Sequence, residues 1–145
     1  MVTIKQISKA INAKLNDILP DVEIQSKDIR EGYPRPCLYV DFEDVTASMA
    51  GAKLRERTIP VVIYYFPTDP NKVKIELLDV QEKLEVAFVG DFPIMDGFVV
   101  QIFEADAVKV DGVLQFSFDV YTLEVDDRET DNGPDMLDIS IELGG

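Results

Sequence analysis

Three groups of side chains in this sequence have the types and spacing that chemistry needs. Glu124, Asp126 and Asp127 crowd three carboxylates at the end of an alternating apolar segment, and neighbouring carboxylates divide acid and base roles when their surroundings push their proton affinities apart. Asp127, Glu129 and Asp131 alternate along the run DDRETDNGPD, in the manner of the oxygen ligands of a calcium loop. Arg55 and Arg57 stand two apart in an extended segment, so both guanidinium groups point to one face of the strand. Each group has a plainer explanation. The EF-hand loop needs glycine at its sixth position, where this chain has Asn132, so the acidic run reads as a solvated linker. Carboxylates at a strand end are usually solvated, and spacing alone places no pocket around these. For Arg55 and Arg57 two partners stand level: Asp41 or Glu43 across the sheet, or an acidic surface of another molecule.

The rest of the sequence narrows the chemistry further. The chain of 145 residues has no histidine and one cysteine, Cys37, which leaves no Ser-His or Cys-His nucleophile, no histidine-ligated zinc and no internal disulfide. With no activating base, Cys37 reads as a small apolar side chain at the head of a strand. The glycines form neither GxGxxG nor GxxxxGK[ST], so no phosphate-binding loop is expected, and no cofactor or metal is assigned. Twenty-eight acidic against 14 basic residues give a net charge of −14, a surface that repels phosphate backbones, so specific nucleic-acid binding is not expected. The apolar runs fall far short of the roughly 20 residues that span a bilayer. Lys5, Lys9 and Lys14 interrupt the opening segment, which predicts no secretory leader, no membrane association and a cytosolic site of folding.

The elements that must position these groups follow from periodicity. Thr3 with Gln6 is a capping-box pair, and Ile4, Ile7, Ile11, Leu15 and Ile18 recur at helical spacing before Pro20, predicting an amphipathic core helix over 3–19. VEIQS is a short extended piece. CLYVDFEDVT alternates Leu38, Val40 and Phe42 against Tyr39, Asp41 and Glu43, a strand with one wet face. A longer strand runs from Leu54 to Phe66 with Pro60 in its middle, which predicts an edge strand or a bulge there. Between them ASMAGAK, residues 47–53, has too little apolar bulk for a core and predicts a hairpin loop projecting from the body. Asp69 and Pro70 signal a second helix whose buried stripe is Val73, Leu77, Val80, Leu84 and Phe88, ending at Gly90. Two or three strands follow, with Asp111-Gly112 as a two-residue hairpin turn and Leu114, Phe116, Phe118 and Val120 on the inward face of the return strand. The order predicts one α+β domain over 1–125, a mostly antiparallel sheet with both helices on one face. Tyr39, Val45, Tyr121 and Leu123 are expected on the wet face.

Residues 126–145 are set apart by an acidic linker followed by DMLDISIELGG. Leu137, Ile139, Ile141 and Leu143 fall on one side and Asp138, Ser140 and Glu142 on the other, the pattern of a half-buried strand. Two pairings suit such a C-terminal arm equally: the edge of its own sheet, or the exposed edge of a neighbouring subunit or partner.

Several stretches together carry a resemblance. VTIKQISKAINAKLNDILPDVEIQSKDIREGYPRPCLYVDF, RTIPVVIYYFPTD, LLDVQEKLEVAF and VKVDGVLQFSFDVYTLEV, followed by an acidic tail, resemble the tail terminator family of long-tailed bacteriophages, in the small variety of Gram-positive phages, prophages and phage-tail-like particles. The resemblance covers nearly the whole chain and rests on the order of its parts: an N-terminal helix, an EG[YF]xRP-like loop, a YFP strand end and a DGVLxFxFD hairpin. It implies a structural protein of the virion tail, assembled in the bacterial cytoplasm as a homo-oligomeric ring, a hexamer in this family. Such a ring caps the head-proximal end of the tail tube, stops its polymerisation and presents the surface for the head connector. The implied partners are the tube protein and the connector or completion protein, with the sheath as a further candidate and DNA passing through the lumen. No catalytic residues carry over. The expected contact residues are Ser48, Met49, Gly51, Lys53, Arg55 and Arg57 on the projecting hairpin and Leu137, Ile139, Ile141 and Leu143 in the tail. Another head-tail connector protein, and a small enzyme using paired carboxylates, are the alternatives.

Overall fold

The computed structural model describes residues 2–25, 35–69 and 74–125. The expected tail strand, the acidic run and Asp126 to Asp131, most of the EG[YF]xRP-like loop, and Pro70 and Val73 lie outside them. The elements run α1 (Ile4–Ile18), β1 (Glu23–Gln25), β2 (Cys37–Phe42), β3 (Thr46–Met49), β4 (Leu54–Phe66), α2 (Lys74–Phe88), β5 (Gly90–Met95), β6 (Phe98–Ile102), β7 (Asp106–Val110) and β8 (Val113–Val125). The class is α+β, with a six-stranded sheet in the order β1-β2-β4-β8-β7, β3 paired to β4, and a separate β5-β6 hairpin.

Local chemistry explains the boundaries. At the start of α1 the Thr3 side chain accepts the Gln6 N–H at 3.1 Å while the Gln6 side chain accepts the Thr3 N–H at 2.8 Å, the reciprocal capping box read from sequence. Gly90, with φ +113°, follows α2 in a conformation that side-chain-bearing residues avoid. Asp111 and Gly112 both have positive φ, 51° and 75°, which is the twist a two-residue turn needs to join β7 to β8. Helices and hairpin close over one face of the sheet. Ile7, Ile11 and Leu15 of α1, Leu77, Val80, Leu84 and Phe88 of α2, and Phe92, Ile94, Val100 and Ile102 of the hairpin share one cluster with Leu38, Ile59, Val61, Ile63, Leu114, Phe116, Phe118 and Val120.

Two details differ from the sequence reading, and the two alternatives for Pro60 are decided. VEIQS does pair, but β1 lies parallel to β2, with Ile24 opposite Leu38. CLYVDFEDVTASM is not one strand and a loop. It is two strands, β2 and β3, laid end to end along the same edge of β4, so 47–49 are strand and only 50–53 form the turn. Pro60 is not at an edge, since β4 is central and Pro60 stands opposite Asp119 of β8 in unbroken register; on its other side the register shifts by one residue between Phe42 opposite Val61 and Thr46 opposite Thr58, so the expected bulge is there, in 43–45 of the facing strand. The reason is directional. Pro60 accepts the Glu43 N–H through its carbonyl at 2.9 Å, and in an antiparallel ladder a residue's carbonyl and N–H face the same neighbour. The missing donor therefore faces the break at 43–45, where no ladder bond is required.

Two expectations follow for stability. Phe88 packs against Phe92 and Phe118 with ring centroids 5.1 and 5.3 Å away, joining helix, hairpin and sheet, so Phe88→Ala should cost about 3–5 kcal/mol in urea unfolding. A value under about 1 kcal/mol would show that the three layers do not depend on this contact. At the other end of α2, the Tyr65 hydroxyl donates to Glu76 Oε2 at 2.6 Å, and the same oxygen accepts the Thr68 N–H at 2.8 Å. Burial and the bond to Glu76 push the Tyr65 hydroxyl well above the ordinary tyrosine value. A folded-state value above the unfolded one adds stability below the unfolded value of about 10 and loses it as pH rises further. Wild type should therefore lose stability above about pH 10 more steeply than Tyr65→Phe, as read by unfolding midpoints across that range.

Candidate functional site

Of the side chains with the types that chemistry needs, Cys37, Arg55, Arg57 and Glu124 fall among the described residues, and Asp126, Asp127, Glu129 and Asp131 lie outside them. Cys37 is fully buried, and its desolvation pushes the thiol up and away from a reactive thiolate. Among the described residues no cluster of acidic or cysteine side chains is arranged to hold a metal ion. Glu43, Glu104, Asp106 and Asp119 line a shallow cavity of about 370 Å³ beside Phe103 and Tyr121, open to solvent on the face of the sheet away from the helices. A larger trough of about 720 Å³ lies between α1 and the outer edge of the sheet, walled by Ser8, Asn12 and Asn16 and floored by Ile24, Val40 and Phe42. Among the described residues that line it, no nucleophile has an adjacent base.

What stands out is an arm. β3, residues 54–58 of β4 and residues 121–125 of β8 pair as three strands, and none of these residues belongs to the core cluster. Alternation sets its two faces. Leu54, Glu56, Tyr121, Leu123 and Val125 share the outer face with Ser48, while Met49, Arg55, Arg57, Thr122 and Glu124 share the helix side. Met49, Leu54, Tyr121, Leu123 and Val125 are all exposed, so apolar side chains crowd this end of the sheet. Glu56 ties the outer face together by accepting from the Tyr121 hydroxyl and from Ser48 Oγ, the latter at 3.4 Å.

The base of the arm is fastened to the N-terminus. Arg57 Nη2 donates to the Val2 carbonyl and lies 3.6 Å from Glu124 Oε1, while the Val2 N–H donates to Glu124 Oε2 at 2.9 Å. Arg57 and Glu124 are only 11% and 12% exposed, so this is a largely desolvated pair. Asp41 and Glu43 are not its partners, contrary to one sequence expectation: Asp41 stands opposite Val62 on the other face of the sheet, whereas Arg57 shares its face with Ile59 and Val61. Glu124 is thereby removed from the proposed carboxylate group.

Of the expected contact residues, the structure gathers Ser48, Met49, Gly51, Lys53 and Arg55 at the arm's hairpin and places Arg57 at its base. Leu137, Ile139, Ile141 and Leu143 lie outside the described residues. Sequence reasoning missed the Val2 clamp, because nothing in an N-terminal Val-Thr announces a partner 122 positions away. It also passed over the exposed Ile75, Leu78 and Val86 of α2 and Phe103 before β7. The α2 residues were readable as a second stripe beside the buried one.

Such a body is a small α+β fold whose conspicuous feature is an exposed, partly apolar sheet end. A family model for phage tail terminator proteins matches residues 6–132, and the chain belongs to that family, a structural component of phage tails. A search of curated proteins returns no match.

The clamp should be measurable. Breaking one side of a largely buried ion pair leaves the other uncompensated, so Glu124→Ala and Arg57→Ala should each cost about 2–4 kcal/mol. The double variant should cost well under the sum, by at least about 1 kcal/mol in a double-mutant cycle of urea unfolding. Additive losses would mean that the two side chains act separately.

Proposed function

We propose that the protein is a non-catalytic tail terminator: a ring of identical subunits, six in number, that sits on the head-proximal end of the tail tube, halts its growth and receives the head connector. The observation that carries this reading is the three-stranded arm, together with membership of the terminator family. A protruding sheet end with exposed Met49, Leu54, Leu123 and Val125 is costly on a solitary subunit and suited to contact with a neighbour or with the tube. The contact set on the arm is Ser48, Met49, Gly51, Lys53 and Arg55, with Arg57 holding the arm's base. Tube protein, connector or completion protein, and sheath are the partners in view.

Residues 1–125 form the body in this reading, and residues 126–145 an extension whose Leu137, Ile139, Ile141 and Leu143 add a strand to an adjacent molecule. β8 delivers the chain to the end of the arm at Val125, opposite Leu54, and a chain of about ten residues with coil dimensions would span some 15–20 Å. The sheet face away from the helices carries Asp41, Glu56, Asp106 and Asp119, a lining along which DNA would pass without adhering.

The deciding experiment is electron microscopy of particles made without this protein. Tubes should vary widely in length and remain unjoined to heads. Tubes of normal, uniform length in its absence would overturn the reading.

A further inference from the structure

The solvent face of α2 is the surface the fold leaves least accounted for. Its core stripe of Leu77, Val80, Leu84 and Phe88 already anchors it, yet Ile75 is 76% exposed, Val86 81% and Leu78 44%. Leu78, Glu82 and Val86 are spaced by four and form one ridge along the helix surface. Asp79 and Glu85 flank it. Asp79 is engaged by Lys83 at 3.6 Å and Glu85 by Gln81 Nε2 at 3.1 Å, whereas among the described residues Glu82 has no hydrogen-bond or ion-pair partner.

A complementary ridge exists on the same molecule. α1 carries Lys5, Lys9 and Lys14 against the single acid Asp17, a basic helix on a chain of net charge −14. Lys5, Lys9 and Ala13 are exposed and again spaced by four. Among the described residues neither Lys5 nor Lys9 has an ion-pair partner. Both helices are 15 residues long, about 22 Å of ridge each.

We propose that the exposed ridge of α2 docks against the lysine ridge of α1 from a second copy of this chain, with Lys9 of one copy set against Glu82 of the next. This rests on the ring reading and names the faces that build it. Ridges of the i±4 kind interdigitate, and Ala13 on one side allows Val86 or Leu78 on the other to approach closely. The aliphatic stems of Lys5 and Lys9 cover apolar surface while their charged ends reach the carboxylates. Symmetric pairings are disfavoured, since α2 on α2 sets Glu82 against Glu82 and α1 on α1 sets Lys9 against Lys9. A contact between two different faces is head-to-tail, and head-to-tail contacts close into rings when the rotation permits.

The test uses the full chain in assembled tails. The double variant Lys9→Cys/Glu82→Cys, oxidised after assembly, should give a ladder of covalent oligomers ending at the ring number, while each single variant and the wild type, whose Cys37 is buried, should give none. Lys9→Glu or Glu82→Lys alone should lower incorporation by about tenfold or more, and the exchanged pair Lys9→Glu/Glu82→Lys should restore it, which a merely damaged fold would not do. Multiple copies per tail end without the ladder and without charge-exchange rescue would overturn this inference and leave the ring reading standing. A single copy per tail end would overturn both. Cross-linking of Glu82→Cys to the tube protein would assign the α2 face to the tube and overturn the inference as well.

Discussion

The long ladder between β4 and β8 is the constraint on which the rest of the molecule depends. It runs in unbroken register from Leu54 opposite Val125 to Tyr65 opposite Leu114. β2, β3 and β7 each pair with one of these two strands, and only β1 joins the sheet indirectly, through β2. One end of the ladder is covered by helices and supplies the core. The other end continues past that cover and becomes the arm. The body and the protruding end are thus the same two strands, and the arm inherits its orientation from a packed core instead of hanging on a loop.

Electrostatics works locally within an acidic whole. The net charge favours solubility and discourages phosphate binding. Two arginines make local structural contacts. Arg57 holds Glu124 and the Val2 carbonyl at the root of the arm. Arg35 lies over the Phe66 ring, 5.6 Å from its centroid, and reaches the Pro67 carbonyl at 3.4 Å. Lys5 and Lys9 of α1 are exposed. Val2 is drawn into the same scheme, bonded to Arg57 of β4 and Glu124 of β8.

Much of this was legible in the sequence because it is local. The capping box of Thr3 and Gln6, the Asp111-Gly112 turn, the buried stripes of both helices and the inward residues of β8 all follow from spacing within about a dozen positions. What was not legible is the choice of neighbour. The parallel pairing of β1, the splitting of one alternating segment into β2 and β3, and the bond between Val2 and Glu124 depend on strands far apart in the chain. The candidate site divides the same way. Alternation was enough to put Arg55 and Arg57 on one face, but not to say that Asp41 and Glu43 point to the other side of the sheet from Arg57. The apolar outer residues of α2, Ile75, Leu78 and Val86, stand beside a stronger buried stripe on the same helix, which alone accounts for its docking.

Pro60 has a consequence for how the sheet finds its alignment. A slip of β2 and β3 by two residues along β4 would keep Leu38, Val40 and Phe42 on the inner face, so burial alone does not penalise it strongly. Such a slip would, however, bring a paired residue of β2 or β3 opposite the nitrogen that has no hydrogen, and a ladder bond would be lost. Only the native alignment sets the break at 43–45 against that position. A residue that reads as an interruption in the sequence thereby acts as a notch in a key: it distinguishes the right alignment from neighbours that hydrophobic patterning treats as nearly equivalent, in a sheet whose central pairing joins residues at 54 and 125 and must be searched for over a long loop.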